Sequence, residues 1–451
     1  MSGYAEYREV NLPWLKAVPA HWEIRRNKNI FTEQKEIVGE RSADYTLLSL
    51  TLNGIIPRDM DGGGKFPESF DKYKIVKNGD MAFCLFDIDE TPRTVGLSGY
   101  NGMLTGAYTI MRVSNINARF IYYYYLALDN GKMLRPLYTG LRKTININTF
   151  QSTKVPVPPR EEQDQIVRFL DWKVSNINKL INIKKKEIKA IDALKRSTVS
   201  HAITRGLTAD APMKYSGVKW LGDIPAHWKV TKLRQILHPV SEKNHPEFPL
   251  LSVVREQGVI LRDVEDKEAN HNFIPDDLSG YKVVRKGQFA MNKMKAWQGS
   301  YGVSDYTGIV SPAYFIFDIA FENLEYFHYA IRSKVYVNFF AQASDGIRVG
   351  QWDLQMDKMK EIPFIVPPAD EQIAIVKYIK QALPQYDAAI EKLTEEVAVL
   401  EEYKNKIIAD IVTGKIDVRG IEIPEYESVD EDNDNADENL EQGADEPPEE
   451  E

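Results

Sequence analysis

The stretch Val155-Pro156-Val157-Pro158-Pro159-Arg160-Glu161-Glu162-Gln163 has a second copy, Phe364-Ile365-Val366-Pro367-Pro368-Ala369-Asp370-Glu371-Gln372. In each, a strand-like run gives way to Pro-Pro and then acids, which is a strong helix start. Proline fixes φ for the first turn, and the carboxylates face the positive end of the helix dipole. The residues that follow have helical spacing. Val376, Ile379, Leu383, Tyr386, Ile390, Leu393, Val397, Leu400, Lys404, Ile407 and Ile411 alternate steps of three and four. Ile166, Leu170, Val174, Ile177, Ile181, Ile188 and Ile191 do the same, with Lys184 in the seam. Such a narrow stripe predicts a supercoiled partner, and the simplest partner is the matching helix of the other copy. Pro384 lies inside the second stripe and predicts a break into a short and a long helix. A helix of about 40 residues would reach roughly 60 Å, which is a spacer rather than part of one core.

Working outward, the flanks repeat as well. Trp14-Leu15-Lys16-Ala17-Val18-Pro19-Ala20-His21-Trp22 returns as Trp220-Leu221-Gly222-Asp223-Ile224-Pro225-Ala226-His227-Trp228. Leu47-Leu48-Ser49-Leu50 returns as Leu250-Leu251-Ser252-Val253, and Tyr73–Asp80 as Tyr281–Gln288. Thr139-Gly140-Leu141-Arg142 matches Asp345-Gly346-Ile347-Arg348. The offset stays between 203 and 209, so the chain is a tandem duplication of a unit a little over 200 residues long. The non-helical part of each unit mixes short β-branched and aromatic runs with Gly, Asn and Asp turns, as α+β domains do. The expected division is two repeated α/β domains at 1–158 and 208–367, coiled-coil helical spacers at 159–207 and 368–420, and an acidic tail at 421–451.

Composition bounds the function. With 451 residues, 43% hydrophobic and 11% aromatic, the chain can bury several cores. Its net charge of -9 argues at face value against nucleic acid. Residues 421–451, however, hold 15 acids and no Lys or Arg; without them 57 basic residues face 51 acidic ones, a net of +6. The tail reads as disordered and solubilising, and could compete with DNA phosphates for basic loops. Cys84 is the only cysteine, which excludes a disulfide framework and points to a reducing compartment. The first ten residues lack a signal-peptide profile, and the apolar runs Arg119–Leu128 and Ala313–Phe321 are too short to span a bilayer. A cytoplasmic location without a membrane partner is expected.

Catalytic signatures are missing. The sequence has no phosphate loop, no H-E-x-x-H pair and no G-x-S-x-G elbow. Each Pro-Pro lacks the flanks of the base-methyltransferase signature, and Pro275-Asp276-Asp277 has no E-x-K to complete a nuclease cluster. Gly62-Gly63-Gly64-Lys65 reads as a turn. His21 and His227, beside Trp22 and Trp228 at equivalent positions, read as packing residues at each domain entrance. No catalytic or metal-binding residue is assigned, and the chain is not expected to be an enzyme by itself.

Binding chemistry remains. Asn292-Lys293-Met294-Lys295-Ala296-Trp297-Gln298-Gly299 follows a strand-like run, and its counterpart from Cys84 to Arg93 carries Asp87, Asp89 and Glu90 instead. Lys and Arg suit phosphates and guanine edges, amides suit adenine, and carboxylates accept from cytosine. Loop placement and chemistry nominate Arg93, Arg142, Lys143, Lys293, Trp297, Gln298, Arg348 and Trp352 as DNA-binding. Frames that repeat under loops that diverge would read two different sequences.

These phrases resemble the specificity subunit family of type I restriction-modification systems. The resemblance rests on the Pro-Ala-His-Trp starts, the helix entries Val157–Ile166 and Val366–Ile375, and Ile411-Val412-Thr413-Gly414-Lys415-Ile416-Asp417-Val418-Arg419. It covers roughly residues 10–420 and leaves out the tail. It implies two target-recognition domains joined by two long antiparallel helical spacers, with pseudo-two-fold symmetry. Each domain would read one half of a bipartite double-stranded DNA target in the major groove, the spacers setting the gap. Two modification (methyltransferase) subunits would dock on the helices, and two restriction subunits would complete an endonuclease that defends against foreign DNA. It implies no cofactor on this chain; S-adenosylmethionine, ATP and Mg2+ would belong to the partners, the methyltransferase flipping an adenine. The setting would be cytoplasmic and nucleoid-associated. A stand-alone DNA-binding protein and a coiled-coil scaffold without enzymatic partners are the alternatives.

Overall fold

The computed structural model describes residues 2–58, 67, 69–138, 143–263, 274–275, 277–348 and 351–431. They form two compact units, Met1–Lys186 with Leu393–Glu451, and Glu187–Lys392. Each unit is α+β, as expected.

In the first unit a four-stranded antiparallel sheet has the order Phe31–Gln34, Thr109–Val113, Asp80–Phe83, Val95–Leu97. The helix Ala118–Asn130 has the apolar residues to lie on it: Phe120, Ile121, Tyr124, Tyr125 and Leu128 are all buried. Asn117 caps it, its side chain accepting from the N–H groups of Arg119 and Phe120. Phe31, Phe83, Tyr125 and Phe150 pack edge-on or tilted with centroids 4.8–5.9 Å apart, filling the core with aromatic area. Two-stranded ladders flank the sheet at Lys74–Val76 with Gly102–Leu104 and at Leu48–Thr51 with Gly54–Pro57.

The second unit repeats this strand for strand. Its sheet order is Leu237–Val240, Tyr314–Ile319, Phe289–Asn292, Tyr301–Val303. Its ladders are Lys282–Val284 with Gly308–Val310 and Leu251–Val254 with Gly258–Leu261. Two shorter helices, Leu324–Ile331 and Lys334–Gln342, stand where the first unit has one. The hairpin Ser344–Arg348 with Gln351–Leu354 has no paired counterpart among the described residues of the first unit.

In both units the last strand pairs antiparallel with one near the start: Lys154–Val157 with Glu23–Arg26, and Pro363–Val366 with Lys229–Lys232. Such a ladder brings chain entry and exit together, so the helix emerges beside the domain entrance. Pro156 sits in this two-stranded ladder, where its missing N–H is tolerated.

Two long helices follow, Arg160–Arg205 of 46 residues and Ala369–Val412 of 44. Both pass from one unit into the other. In the first unit Lys184 pairs with Glu396 at 2.9 Å and Lys404 donates to Asn178 at 3.3 Å; the reversed order makes the segments antiparallel. In the second, Lys195 pairs with Asp387 and Thr198 meets Tyr386 at 3.0 Å, again reversed. The expected stripe is the seam. Ile166, Leu170, Ile177, Ile181, Ile407 and Ile411 are buried in the first unit, and Val376 and Ile379 in the second. The first helix supplies lysines where the second supplies carboxylates, which selects the partner beyond its apolar seam.

The break expected at Pro384 does not occur, and one helix runs through it. Pro384 is exposed, off the seam. Its missing N–H and its ring therefore fall on the solvent side, where the helix can give without losing a packed contact.

Candidate nucleic-acid interface

Each domain is fastened to its helix by the same joint. In the first unit the Glu162 carboxylate accepts from Tyr4 OH at 2.6 Å, Trp22 Nε1 at 2.9 Å and His21 Nε2 at 2.7 Å. In the second, Glu371 takes Trp228 Nε1 at 3.0 Å and His227 Nε2 at 2.5 Å. The neighbouring glutamines tie back the Pro-Pro turn, Gln163 Nε2 donating to Pro158 O and Gln372 Nε2 to Pro367 O. Trp22 and Trp228 are fully buried. Glycine is needed where the other long helix ends against them. A Cβ on Gly206 would stand 3.0 Å from the Trp228 ring, and one on Gly414 would stand 3.2 Å from Trp22, both at φ above +70°. His21 and His227, read from the sequence as packing residues, are instead exposed and join the domain to its helix through hydrogen bonds to these glutamates. The only sequence signal of their carboxylate partners is that Glu162 and Glu371 recur at equivalent places in both copies. Burial, and the Glu162 bond after it, push the Tyr4 phenol well above its usual range.

The second unit gathers most of its nominated residues. The strand Phe289–Asn292 runs into a 3-10 turn, Ala296–Gln298, closed by Gly299 at φ +95°. There Trp297 stacks on Trp352 of the hairpin, centroids 5.3 Å apart and 24° between planes. Gly346 lies across the strand pair from Trp352, close enough that a Cβ there would be in ordinary contact with the indole at 3.4 Å. Lys293 pairs with Asp353 at 3.2 Å, and Leu354 N donates to Lys293 O at 3.3 Å, locking hairpin to turn. Gln298 is half-buried on the same turn. Arg348 is a backbone member of the hairpin, opposite Gln351; its side chain lies outside the described residues. Lys293, Trp297, Gln298 and Trp352 thus form one surface, with Arg348 on the hairpin that carries Trp352.

The equivalent loops of the first unit also meet, with different chemistry. Asp87 N donates to Lys143 O at 2.8 Å and Ile145 N to Leu85 O at 2.6 Å. Asp89 accepts from Tyr138 OH and faces Lys143 at 3.5 Å and Arg135 at 3.7 Å. The Tyr138 bond, with the two cations, holds its carboxyl below the usual range. Lys143 also pairs with Glu90, which raises its ammonium pKa. Arg142 lies outside the described residues.

Arg93 is placed otherwise than expected. Its Nη1 meets Asp129 at 2.9 Å and Asn130 at 2.7 Å, and its side chain is 15% exposed. Asp129 is buried and also accepts from Thr94 N, Thr94 Oγ1 and Lys132. Arg93 therefore neutralises a buried carboxylate at the end of a core helix, a task that a loop position in the sequence does not reveal.

Cys84 is buried, and burial pushes its thiol up to about 11, so it is unreactive. Among the described residues no group of His, Cys, Asp or Glu could hold a metal ion, and no helix is long and apolar enough to cross a membrane.

Comparison with known proteins agrees. The family model for the type I restriction modification DNA specificity domain matches residues 70–190. The type I restriction enzyme MjaVIII specificity subunit of Methanocaldococcus jannaschii is 24% identical over 446 residues, 92% of this chain and 98% of that protein. The putative MjaX specificity subunit of the same organism is 23% identical over 435 residues, 89% and 95% of the two chains. A solved chain, from a structure on complex assembly and conformational transition of the type I R-M system, aligns with a TM-score of 0.56. It is 13% identical and covers 88% of this chain and 99% of its own, a likeness of fold. The doubled domain-and-helix frame is thus similar over most of its length to specificity subunits of type I restriction enzymes.

Proposed function

We propose that this chain is the DNA-sequence specificity subunit of a type I restriction-modification complex. Each unit reads one half of a bipartite target, and partner subunits methylate adenine or cleave the DNA. The observation that carries this is the pairing of corresponding joints with unlike loops. Glu162 and Glu371 fasten the two domains in the same way. The surfaces they present differ: a stacked Trp297–Trp352 pair with Lys293 in one unit, Asp89, Glu90 and Lys143 in the other. Flat aromatic and amide groups suit base edges and sugar faces, while lysines position a phosphate backbone. Residues 1–158 and 208–367 act as the target-recognition domains, and 159–207 and 368–420 as the spacers.

Two modification subunits dock on the helices, and two restriction subunits join them. The methyl donor S-adenosylmethionine, and the ATP and Mg2+ of cleavage, are handled by those partners in a cytoplasmic, nucleoid-associated complex. This chain's own work is binding: it positions the duplex so that a partner can extrude a base at a fixed distance from each reading surface.

The spacer makes the reading testable. Inserting one heptad into each long helix keeps the seam in register and lengthens the pair by about 10 Å, roughly three base pairs of B-DNA. Methylation mapping with the modification subunit should then show the same half-sites with a longer gap. An unchanged gap would overturn the spacer account.

A further inference from the structure

Residues 421–431, part of the tail expected to be disordered, are held against the first unit. Gln165 Nε2 donates to the carbonyls of Val418 and Ile421, and Ile421 and Ile423 pack against the core. Beyond Pro424 the character of the contact changes from apolar to polar. Ser175 Oγ donates to Glu427 O at 3.1 Å and accepts from Val429 N at 2.8 Å. Asn178 Nδ2 donates to Val429 O at 3.2 Å and Asn182 Nδ2 to Asp430 O at 2.9 Å. Glu431 sits between Lys185 of the first long helix, at 2.7 Å, and Lys404 of the second. Ser175, Asn178 and Asn182 are buried polar residues, and every one of these bonds is to main chain.

A main-chain-reading row of Ser, Asn and Asn on one helix face, ending in two lysines, thus holds an extended segment with a carboxylate at its far end. It belongs to one unit only. The repeat-equivalent positions in the second long helix are Pro384, Asp387 and Glu391, none of which can donate to a carbonyl. Two lysines against one glutamate also leave the groove with a surplus positive charge. Its lining is served by water as well as by peptide, so emptying it bares no apolar face, whereas residues 421–423 are anchored by apolar packing.

We propose that the row Ser175–Asn178–Asn182 with Lys185 and Lys404 is a peptide-binding site for an extended acidic segment, filled in the free chain by residues 427–431 as a releasable strap. A partner protein presenting such a segment takes the groove by displacing the strap, which hinges at Pro424. This goes beyond the reading of DNA and does not rest on it.

The test uses the full chain and a fluorescent peptide spanning residues 421–431. The tethered strap competes at an effective concentration of about millimolar, so the unaltered chain should bind the peptide weakly. Glu431→Lys, which sets a third cation against Lys185 and Lys404, should empty the groove and bind the peptide at least about tenfold more tightly. Val429→Pro, which removes the N–H that Ser175 accepts, should do the same without a change of charge. Adding Asn178→Leu and Asn182→Leu to either variant should return binding to the unaltered level. Equal binding by all chains, binding insensitive to the asparagine changes, or no binding by variants that melt like the unaltered chain would each overturn the proposal.

Discussion

The two units share a frame and differ at both of its ends, where it meets the helix and where it meets solvent. At the helix, Glu162 is buried and takes three donors, whereas Glu371 is 32% exposed and takes two. At the opposite loops the first unit closes its cations against carboxylates, and the second stacks a half-buried Trp297 of its turn on Trp352 of a hairpin without a paired counterpart among the described residues of the first. A strap covers the helix pair of the first unit. The lesson is that duplication kept what fixes the helix start and freed what faces outward.

The comparison can be broken first at the joint. Trp22→Ala and Trp228→Ala each remove a fully buried indole and should cost about 3–5 kcal/mol, read by denaturant unfolding. If only one were costly, the joints would not be equivalent. Arg93→Ala comes next. It strips the main cation from a buried carboxylate that keeps Lys132, and should cost about 2–3 kcal/mol while leaving the methylated sequence unchanged. A changed half-site would return Arg93 to the reading surface.

Glu162→Gln and Glu371→Gln sharpen the difference between the joints. The first leaves one of three donors facing an amide N–H and should cost about 2 kcal/mol; the second should cost about 1 kcal/mol. Equal costs would mean that the Tyr4 contact contributes nothing. The smallest effect is that of pH on the strap. Burial pushes the Glu431 carboxyl up, but Lys185 and Lys404 outweigh it and hold the folded value below the ordinary one. Its contribution is therefore complete above the unfolded value, about pH 4.5, and lost as pH falls through the depressed folded value. Melting of the full chain and of Glu431→Gln should differ at pH 7 and converge towards pH 3.

Much of the architecture is legible in the order of the residues. Apolar residues at coiled-coil spacing announce a seam because burial is periodic, and a sequence said twice announces two like units. The tryptophans of each domain entrance read as packing for the same reason. Other features leave no periodic trace. The partnership of Glu162 with Trp22 spans 140 residues and is made by a strand pair that only folding brings together. Pro384 breaks a rule of local propensity, yet its exposed position removes the cost. Composition alone marks residues 421–431 as solvated, yet Ile421 and Ile423 pack on an existing core and residues 427–430 bind through their main chain, to which composition is blind.

The central claim is that each unit reads its own half of the target. The direct test is to methylate a random-sequence DNA pool with the chain and its modification subunit, then repeat with Trp297→Ala and Trp352→Ala together. The account predicts a bipartite site in which one half relaxes and the other, with the gap, stays as it was. Loss of specificity in both halves, or no change in either, would contradict it.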